Sequence, residues 1–449
     1  MSYDLIVIGA GPGGHATALE AAHLGRKVLI IENGEWGGTC THRGCIPTKA
    51  LLACSRRYLE TESWKRLGIT VENVRFDFSA ARRHQRQMIQ LSTLGIRKSL
   101  QDQGVTTLEG EAVIVAPGEV AVTDSLGKTV HAKGSNVVIS WGSKASPLPH
   151  IPFSTRVINS DTLLQMDTLP KSLIAIGGGA IGVEFATFLA EVGTQVTLIE
   201  CLAQILPYED PDVADYLTGE MKKRGIEIHT ATSVKEIVEA PGHVTLETHQ
   251  GERTLQLSAE YVLVCTGRLP HLRETELKRL GIAYSSRGIG IDSRLETSVP
   301  GIYAVGDVTG GILLAHRAVA QGRSVVRSLF GESDTHYTDD AVPVVVYSHP
   351  PVARVGLTER RARELGINAE VRKKDYGANM IARTELLGRG FVKTIFHESR
   401  LIGAAIAGEQ APDLISSLSL AVGNKMIERE LKNWIIPHPT LSELLGCHN

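Results

Sequence analysis

The sequence predicts an α/β fold with two βαβ units built on the same plan, followed by a C-terminal α+β region. Residues 5–14 form an apolar strand that breaks into closely spaced glycines and continues as a helical stretch. Residues 173–182 repeat that plan, and in each copy a second apolar strand follows and ends in an acidic residue. Strand, helix and strand within about 30 residues make a βαβ unit. From about residue 337 onward the pattern is rich in strands and then helical, without a third glycine cluster of this kind.

The composition of the chain argues against several classes of protein. A chain of 449 residues is longer than one hydrophobic core usually serves, so several domains are expected. The formal net charge of -2 argues against a nucleic-acid or membrane-surface partner. No apolar run approaches the roughly 20 residues of a membrane-spanning helix, and the chain begins on a strand without the basic region of a signal peptide. These features predict a cytoplasmic protein that binds neither nucleic acid nor membrane.

The first glycine cluster, Gly9-x-Gly11-x-x-Gly14, has the spacing of a dinucleotide-binding loop. Its glycines allow a tight turn, a pyrophosphate close to the backbone and close packing of helix on strand, while the helix N-terminus offers free N–H groups to the phosphates. Glu32 ends the second strand, where a carboxylate can bind the hydroxyls of an adenosine ribose. The structural alternative is a pair of glycine-rich turns in a doubly wound sheet. Because strand, helix, strand and acid occur in order twice, we predict two Rossmann-like dinucleotide-binding domains.

The second cluster, with Gly177, Gly179 and Gly182, is followed by Glu200 at the same spacing as in the first copy. A carboxylate here would repel the 2′-phosphate of NADP, and a site for that phosphate usually supplies a nearby arginine. The stretch between Glu200 and Glu220 contains no Lys or Arg. It carries further acids, which we expect to add negative charge around the ribose: Glu209, Asp210, Asp212 and Asp215. The sequence therefore predicts NAD rather than NADP.

Two of the six cysteines, Cys40 and Cys45, are only five positions apart and enclose Gly44. Thiols at this spacing can close a small disulfide ring with little movement, and a helix over residues 46–59 would stabilise a thiolate on Cys45. Zinc-binding or merely buried cysteines are the alternatives, although zinc would need two further ligands at suitable spacing. The other four cysteines are scattered and offer no second pair: Cys54, Cys201, Cys265 and Cys447. Of these, Cys54 and Cys265 are expected in the core.

The block around these cysteines, residues 37–49, reads Gly-Gly-Thr-Cys-x4-Cys-Ile-Pro-x-Lys and resembles the pyridine-nucleotide disulfide oxidoreductase family (class I), most closely its dihydrolipoamide dehydrogenases. The resemblance extends over the whole chain and includes both glycine clusters, Thr266-Gly-Arg268, Gly306-Asp307 and the segment from His438 to Glu443. It implies FAD in the first dinucleotide site and NAD in the second. The expected fold is thus α/β, with two Rossmann-like dinucleotide-binding domains plus a C-terminal α+β dimerisation domain.

The resemblance also implies which residues contact each cofactor. For FAD these are the glycine loop, the ribose carboxylate, the disulfide block and several later positions: Gly9, Gly11, Gly14, Glu32, Gly38, Thr39, Cys40, Lys49, Ala112, Gly142, Ser143, Gly306, Asp307, Leu314, Ala315 and His316. For NAD they are the second loop, its carboxylate and one later glycine: Gly177, Gly179, Ile181, Gly182, Glu184, Glu200 and Gly267. Within the first set, Asp307 would bind the ribityl chain, and residues 313–316 would lie along the flavin. No metal is expected.

By the same resemblance, Cys40 and Cys45 form the redox-active disulfide. Lys49 then lies near the flavin, and Glu184 of the second dinucleotide domain is its ion-pair partner. Without the resemblance, Lys49 and Glu184 would pass as ordinary charges on helix surfaces.

The segment from His438 to Glu443 allows two interpretations. The pattern Thr440-x-x-Glu443 before Leu444 and Leu445 is that of a capping box, a purely structural start of a helix. In the family that this chain resembles, the histidine is the acid/base for the substrate thiol, and the glutamate orients and polarises it. The resemblance favours the second interpretation.

Three departures from the dihydrolipoamide dehydrogenases concern the substrate more than the reaction class. Residues 436–439 read Ile-Pro-His-Pro where those enzymes usually read His-Ala-His-Pro. The disulfide loop reads Thr41-His42-Arg43, and Arg43 would suit an acidic substrate or carrier protein. Residues 140–143 read Ser-Trp-Gly-Ser in place of the usual Ala-Thr-Gly-Ser.

Three rival interpretations follow. A reductase of a small disulfide, similar to glutathione reductase, would suit residues 348–351 and 355–359 but not Glu200 or residues 314–316. A flavoprotein similar to soluble pyridine nucleotide transhydrogenase usually lacks the second cysteine and the His-Pro-Thr motif. A non-catalytic FAD- and NAD-binding module would not need the cysteine pair together with the histidine and glutamate near the C-terminus.

The predicted organisation has four segments. Residues 1–148 form the FAD-binding domain, 149–268 the NAD-binding domain, 269–334 a central part that completes the FAD domain, and 335–449 the C-terminal dimerisation domain. The resemblance also implies a homodimer and, as the substrate, a dithiol or disulfide, namely a lipoyl group on a carrier protein.

Overall fold

The computed structural model describes residues 2–331 and 337–446 of the chain. Its strands, numbered in chain order, begin with β1 Ser2–Ile8, β2 Val28–Glu32, β3 Thr106–Glu109, β4 Glu111–Ala116, β5 Glu119–Thr123, β6 Thr129–Ile139, β7 Ser143–Ala145, β8 Val157–Ile158, β9 Ser172–Ile176, β10 Gln195–Ile199, β11 Glu227–His229 and β12 Ser233–Ala240. They continue with β13 His243–Gln250, β14 Arg253–Ala259, β15 Tyr261–Val264, β16 Arg268–Pro270, β17 Tyr284–Ser285, β18 Gly288–Ile289, β19 Ile302–Ala304, β20 Val344–Val346, β21 Val352–Gly356, β22 Glu370–Asp375, β23 Phe391–His397 and β24 Arg400–Ala407.

The α-helices are α1 Pro12–His23, α2 Gly38–His42, α3 Cys45–Glu60, α4 Phe78–Asp102, α5 Ser160–Leu163, α6 Ala180–Glu191, α7 Pro211–Lys223, α8 Glu274–Leu280, α9 Ala315–Phe330, α10 Glu359–Glu364, α11 Met380–Thr384, α12 Ala411–Gly423 and α13 Glu428–Lys432. Short 3-10 helices occur at Trp64–Leu67, Gly306–Thr309, Tyr376–Ala378 and Leu441–Leu445. In the described part of the chain, no helix combines the length and the apolar character needed to cross a membrane.

The described residues form two compact units. The first unit takes in residues 1–50, 82–146 and 268–339, and the second takes in residues 51–81, 147–267 and 340–449. Each unit thus draws on separate stretches of the chain. The division into four domains with the boundaries given above stays a prediction.

The main sheet of the first unit has the strand order β3-β2-β1-β6-β5-β4, and β19 also pairs with β6. Both neighbours of β1 run parallel to it, as expected for a βαβ unit. Leu5 and Val7 of β1 belong to one hydrophobic cluster, whereas Ile6 and Ile8 belong to another. Because successive side chains of a strand point to opposite faces, the sheet is covered on both faces, which explains the uninterrupted apolar run of β1.

The alternating sequence of residues 110–122 predicts one strand, but the structure has a hairpin there. β4 and β5 pair antiparallel, and Gly118 lies in the turn between them with a φ of 77°. A Cβ at Gly118 would also lie 2.7 Å from the carbonyl oxygen of Gly134. Glycine is therefore required there for two reasons, its left-handed conformation and the close approach of the neighbouring backbone.

The second unit contains the repeat of the βαβ plan and the C-terminal region. Its parallel sheet has the order β11-β10-β9-β15-β8, and β12, β13 and β14 form a separate antiparallel sheet. The C-terminal region forms an antiparallel sheet of order β20-β21-β24-β23-β22. Leu414 and Leu418 of α12 share a buried cluster with Ile406 of β24. The mixed α/β fold with a C-terminal α+β region is as predicted.

Candidate functional site

The first glycine loop joins β1 to α1 and leaves open space beside its backbone. A Cβ at Gly14 would lie 1.9 Å from the carbonyl oxygen of Gly9, and one at Gly9 would lie 2.3 Å from that of Ser140. Neither position can hold a larger residue. A Cβ at Gly11 would meet no atom within 4 Å. Since Gly11 is the N-cap residue of α1, this open space lies beside first-turn N–H groups that need an acceptor, an arrangement that fits a pyrophosphate.

The second glycine loop, between β9 and α6, has the same geometry. A Cβ at Gly182 would lie 1.9 Å from the carbonyl oxygen of Gly177, and one at Gly177 would lie 2.6 Å from that of Cys265. A Cβ at Gly179, the N-cap residue of α6, would meet nothing within 4 Å. Cys265 is a buried core residue, as the sequence predicts, although it follows β15 rather than lying within it, and burial raises its pKa to about 12.

The two strand-end glutamates are held in the same way in both copies. Glu32 accepts hydrogen bonds from the N–H of Ala10 at 2.6 Å and from the N–H of Gly34 at 2.9 Å. Glu200 accepts them from the N–H of Gly178 at 2.7 Å and from the N–H of Leu202 at 2.8 Å. Each carboxylate is therefore tied to the second residue of its glycine loop. The backbone N–H donors hold each side chain in one orientation, so both sites present an oriented carboxylate.

Three of the four further acids after Glu200 are paired with basic side chains, so the prediction that these three add free negative charge is wrong, whereas the fourth, Asp215, is exposed. Glu209 pairs with Arg354 at 2.7 Å, and Lys393 lies 2.8 Å from Asp210 and 2.7 Å from Asp212, all as nitrogen–oxygen distances. The basic partners come from β21 and β23, far along the chain, and a search limited to residues 200–220 could not find them. The electrostatic preference for NAD rests on Glu200.

The cysteine pair has the local structure that the sequence predicts. Cys45 is the first residue of α3, and Cys40 lies in the short helix α2. Both are half-buried, unlinked thiols in this structure. A hydrogen bond with the Cys45 side chain, burial, and the charge of Cys45 raise the pKa of Cys40, and the Lys49 ammonium opposes this shift. The Cys40 thiol therefore holds its proton strongly, and a thiolate on Cys45 would lie at the N-terminus of α3, where the helix dipole stabilises it.

The structure brings the disulfide block and the first glycine loop together. The N–H of Gly37 donates to the carbonyl oxygen of Ala10 at 3.0 Å. A Cβ at Gly38 would lie 3.1 Å from the Cα of Gly11. Glycine is needed at position 38 for a second reason, since its φ is 57°. The two motifs thus form one continuous surface of the first unit, although they are separate in the sequence.

His42 of the disulfide loop and the remaining cysteines are separate from the Cys40–Cys45 pair. The Nε2 of His42 lies 3.0 Å from the carbonyl oxygen of Trp36, so this ring braces the loop. Cys54 is half-buried in α3, Cys201 is exposed, and Cys447 lies outside the described residues. Within residues 2–331 and 337–446, no group of three or more His, Cys, Asp or Glu side chains is placed to hold a metal.

Lys49 and Glu184 lie on helices that begin at the predicted site motifs. Lys49 is half-buried and follows Cys45 by one turn of α3. Glu184 is buried in α6 and accepts a hydrogen bond from the N–H of Tyr347 at 3.0 Å. Glu184 is therefore not an ordinary surface charge, which the helical pattern alone would suggest. The ion pair between Lys49 and Glu184 stays a prediction.

Ser143 and Asp307 of the first unit are in direct contact. The Ser143 hydroxyl donates to Asp307 Oδ2 at 2.5 Å, and Arg268 donates to that hydroxyl and to the Ser143 carbonyl oxygen, each at 2.9 Å. The N–H of Gly306 donates to the side-chain oxygen of buried Gln321 at 2.7 Å. Sequence reasoning missed Gln321, because no motif distinguishes it from other polar residues of α9.

The remaining positions assigned to FAD lie on elements of the same unit. Ala112 is buried in β4, and its carbonyl oxygen accepts a hydrogen bond from Arg273 at 2.6 Å. Leu314 is the N-cap residue of α9, which begins at Ala315, and His316 in its first turn is exposed. Contacts of these residues with a flavin stay a prediction.

His438 and Glu443 form a hydrogen-bonded pair. His438 Nδ1 lies 2.5 Å from Glu443 Oε1, and because a carboxylate only accepts, the imidazole donates from Nδ1 and leaves Nε2 free to accept. The His438 side chain is 79% exposed and that of Glu443 is 33% exposed. The capping-box alternative is wrong, because the Thr440 hydroxyl donates to the carbonyl oxygen of Pro437 at 2.7 Å and does not cap the Leu441–Leu445 helix. An exposed imidazole fixed in one tautomer is suited to acid/base chemistry.

Comparison with protein families matches nearly the whole chain. Residues 3–322 match the pyridine nucleotide-disulphide oxidoreductase family, and residues 342–447 match the dimerisation domain of that family. Similar curated proteins include the dihydrolipoyl dehydrogenase of Bacillus subtilis, which is 37% identical over 446 residues, with 98% of this chain and 94% of that protein covered. The dihydrolipoyl dehydrogenase of Geobacillus stearothermophilus is 36% identical over 445 residues, with the same coverage.

Solved structures of similar proteins include LpdA from Mycobacterium tuberculosis, with a TM-score of 0.91, 25% identity and 98% of each chain covered. The Cu(II) complex of the HOCl-induced flavoprotein disulfide reductase RclA from Escherichia coli has a TM-score of 0.86 and 28% identity, with 99% of this chain and 98% of that chain covered. These likenesses extend over both units of the chain.

The cofactors of the matched family are FAD and NAD, and the residues present fit both. Each glycine loop leaves room where a Cβ would otherwise project, and each is followed by an oriented carboxylate. The cysteine pair lies beside the first loop, and the matched C-terminal segment is a dimerisation domain. The chain belongs to the pyridine nucleotide-disulphide oxidoreductase family, whose enzymes use FAD and NAD.

Proposed function

We propose that this enzyme oxidises a dihydrolipoyl group with NAD⁺, the reaction named by its curated relatives. The observation that carries the proposal is the 2.5 Å hydrogen bond between His438 and Glu443, because it supplies an exposed imidazole of fixed tautomer that can accept a proton from a substrate thiol. The cysteine pair at the start of α3 supplies the disulfide partner for that thiol. In the net reaction the dithiol loses two electrons and two protons, NAD⁺ gains a hydride, and one proton is released.

The thiol steps follow from the two pairs of side chains. His438 accepts a proton at Nε2 from one substrate thiol, and the resulting thiolate attacks Sγ of Cys40 in the oxidised pair. The bond between Cys40 and Cys45 breaks, and Cys45 leaves as a thiolate that the N-terminus of α3 stabilises. The second substrate thiol then releases its proton to solvent, which is the one proton of the net reaction, and its thiolate attacks the substrate sulfur of the mixed disulfide. Cys40 leaves with its electron pair and takes the proton held by His438, so that the substrate departs as a disulfide.

The remaining residues bind the cofactors and orient charge. The residues of the first site would hold FAD, which would supply the two-electron chemistry that links the cysteine pair to the nicotinamide. Gly11 and Gly179 would leave room for the two pyrophosphates, and Glu32 and Glu200 would bind the adenosine riboses. Lys49 would stabilise thiolate charge, in line with its effect on the pKa of Cys40.

We further propose that the active site is shared between two copies of the chain in a homodimer. His438 and Glu443 of one subunit would act on Cys40 and Cys45 of the other. Two observations support this arrangement: the C-terminal segment matches a dimerisation domain, and the imidazole of His438 is 79% exposed although it is held in a fixed orientation. We place the enzyme in the cytoplasm, because six cysteines in 449 residues, of which only Cys40 and Cys45 are paired by spacing, are not a disulfide scaffold of the kind found in secreted proteins.

A reductase of a low-molecular-weight disulfide is the second candidate. It is favoured by the exposed Arg43 beside the cysteine pair, which would suit an acidic substrate, and by the RclA likeness, since RclA is described as a flavoprotein disulfide reductase. The two candidates differ in substrate and in nicotinamide. The deciding experiment compares NADH formation from dihydrolipoamide, free and carried on a protein, with NADPH-driven reduction of glutathione disulfide. Faster turnover of glutathione disulfide would refute the dihydrolipoyl assignment.

A further inference from the structure

The segment that follows the second strand-end glutamate, residues 204–212, contacts the second glycine loop directly. The N–H of Leu206 donates to the carbonyl oxygen of Gly178 at 2.8 Å, while the N–H of the same Gly178 donates to Glu200 at 2.7 Å. Ile205 is fully buried, and a Cβ at Gly178 would lie 3.1 Å from its Cγ2. The 204–212 segment therefore holds the carbonyl group of Gly178, and the N–H of the same residue, in the preceding peptide unit, orients the carboxylate.

The backbone of this segment is supported by side chains both within the segment and beyond it. Leu206 has a φ of 47°, in the left-handed region that a non-glycine residue seldom adopts without support from its surroundings. Gln204 supplies part of the support, since its side-chain nitrogen donates to the carbonyl oxygen of Glu209 at 3.1 Å. The rest of the support comes from the C-terminal region of the chain.

Basic residues of the C-terminal region hold the far end of the segment. Arg354 of β21 donates to Glu209 at 2.7 Å, and Arg360 of α10 donates to the carbonyl oxygen of Pro207 at 2.7 Å. Lys393 of β23 donates to Asp210 at 2.8 Å. The same Asp210 accepts the N–H groups of residues 359 and 360, each at 2.9 Å.

The pairing of Lys393 is strong enough to keep its charge in the interior. Lys393 is 1% exposed and Asp210 is 3% exposed. Burial lowers the pKa of Lys393, but the hydrogen bonds with Asp210 and Asp212 outweigh it, so that the net shift is upward. Removing the ammonium would leave a buried carboxylate without its counter-charge, which is more damaging than the loss of an exposed ion pair.

We propose that Lys393 and Arg354 are positioning residues for the NAD site. By clamping the 204–212 segment, they hold the N–H of Leu206 against the carbonyl oxygen of Gly178 and thereby fix the glycine loop and Glu200 for the dinucleotide. The C-terminal region thus contributes to nucleotide binding as well as to dimerisation. This inference rests on the proposed use of the second site for NAD, but not on the identity of the dithiol.

The test uses the FAD-loaded full-length enzyme and two independent variants, Lys393→Met and Arg354→Gln. NADH oxidation with ferricyanide as the acceptor measures the nucleotide site without a dithiol, and reduction of the flavin by dihydrolipoamide in the absence of NAD⁺ measures the thiol site. For Lys393→Met we expect the KM for NADH to rise about tenfold or more, with kcat and the dithiol half-reaction within about twofold of wild type. Arg354→Gln should shift KM in the same direction by a smaller factor, because Arg354 is less buried.

The matched control is Lys373→Met. Lys373 pairs with Asp212 but is 46% exposed and does not pair with Asp210, so its loss should leave the KM for NADH unchanged. Lys393→Arg, which keeps the charge, should restore most of the affinity. Hydrogen exchange should quicken in Lys393→Met at peptides that cover residues 177–182 and 204–212.

Several results would overturn the proposal. The first is a KM for NADH that is unchanged in Arg354→Gln and in any folded Lys393→Met. The second is an equal loss of both half-reactions, since it would indicate general destabilisation. An effect of Lys373→Met as large as that of Lys393→Met is a third. If Lys393→Met does not fold, Arg354→Gln with its hydrogen exchange decides the question. A wild-type enzyme that oxidises NADH but ignores dihydrolipoamide would refute the proposed substrate and leave this test in force.

Discussion

Gly179→Ala should separate nucleotide binding from folding. Gly179 has a φ of -77° and a ψ of -174°, which alanine adopts without strain, and a Cβ there meets no protein atom within 4 Å. Alanine is a poorer N-cap residue than glycine, so the folded state should lose about 1 kcal/mol or less. A methyl group placed against a bound pyrophosphate should cost about 1–3 kcal/mol, the usual penalty of overpacking. That penalty corresponds to a rise of roughly 5- to 150-fold in the KM for NADH.

The assay measures the KM for NADH with ferricyanide, the FAD content and the melting temperature of the same preparation. Gly179→Ala should keep its FAD and lose only a few degrees of melting temperature. Gly182→Ala is the contrasting variant: its Cβ would lie 1.9 Å from the carbonyl oxygen of Gly177, so it should impair folding as well as binding. A Gly179→Ala enzyme with the wild-type KM for NADH would refute the reasoning, because it would show that no phosphate approaches the loop at that position.

Three further predictions concern the thiol chemistry, the nucleotide and the core. His438→Ala should slow the dithiol half-reaction by about 10²–10⁴-fold, the usual contribution of a positioned acid/base group. Glu443→Gln should slow it less, because Glu443 only orients the imidazole. Stopped-flow reduction of the flavin measures both rates, and equal losses would contradict the assigned roles. The kcat/KM of the wild-type enzyme should be at least about a hundredfold higher with NAD(H) than with NADP(H), a difference of about 2.7 kcal/mol, and Glu200→Ala should reduce that ratio in steady-state kinetics. Equal kcat/KM values of the wild-type enzyme with both nucleotides would contradict the electrostatic argument. Cys265, whose pKa burial raises to about 12, should stay protonated and resist iodoacetamide at pH 8 until the protein unfolds, and mass spectrometry showing labelling of the native thiol would disprove its burial.

Local pattern was sufficient for the parts of the fold that depend on neighbours in the sequence. The strand, glycine turn and helix around Gly9 could be predicted because apolar periodicity and glycine spacing act within a few residues. The same is true of Cys45 at the start of α3. The turn at Gly118 escaped prediction, because its requirement comes partly from the close approach of a distant carbonyl group.

The charge environment of the second site could not be predicted from nearby residues. The sequence predicts Glu209 and Asp210 as free acids, because their partners, Arg354 and Lys393, are more than a hundred positions away in the chain. The pattern from Thr440 to Glu443 shows a different limit of sequence reasoning. Glu443 belongs to both patterns, the capping box with Thr440 and the pair with His438, and only the directions of the side chains distinguish them.

The most direct test of the central claim mixes two inactive variants, His438→Ala and Cys45→Ser, under conditions that exchange subunits. In a shared site, His438 of one subunit serves the cysteine pair of the other, so a mixed dimer contains one site in which both are intact. We expect NADH formation from dihydrolipoamide to return on mixing. Each heterodimer should approach half the activity of a wild-type dimer, because one of its two sites is intact. If heterodimers are shown to form and the mixture stays inactive, His438 does not act on the cysteines of a second subunit and the account is wrong.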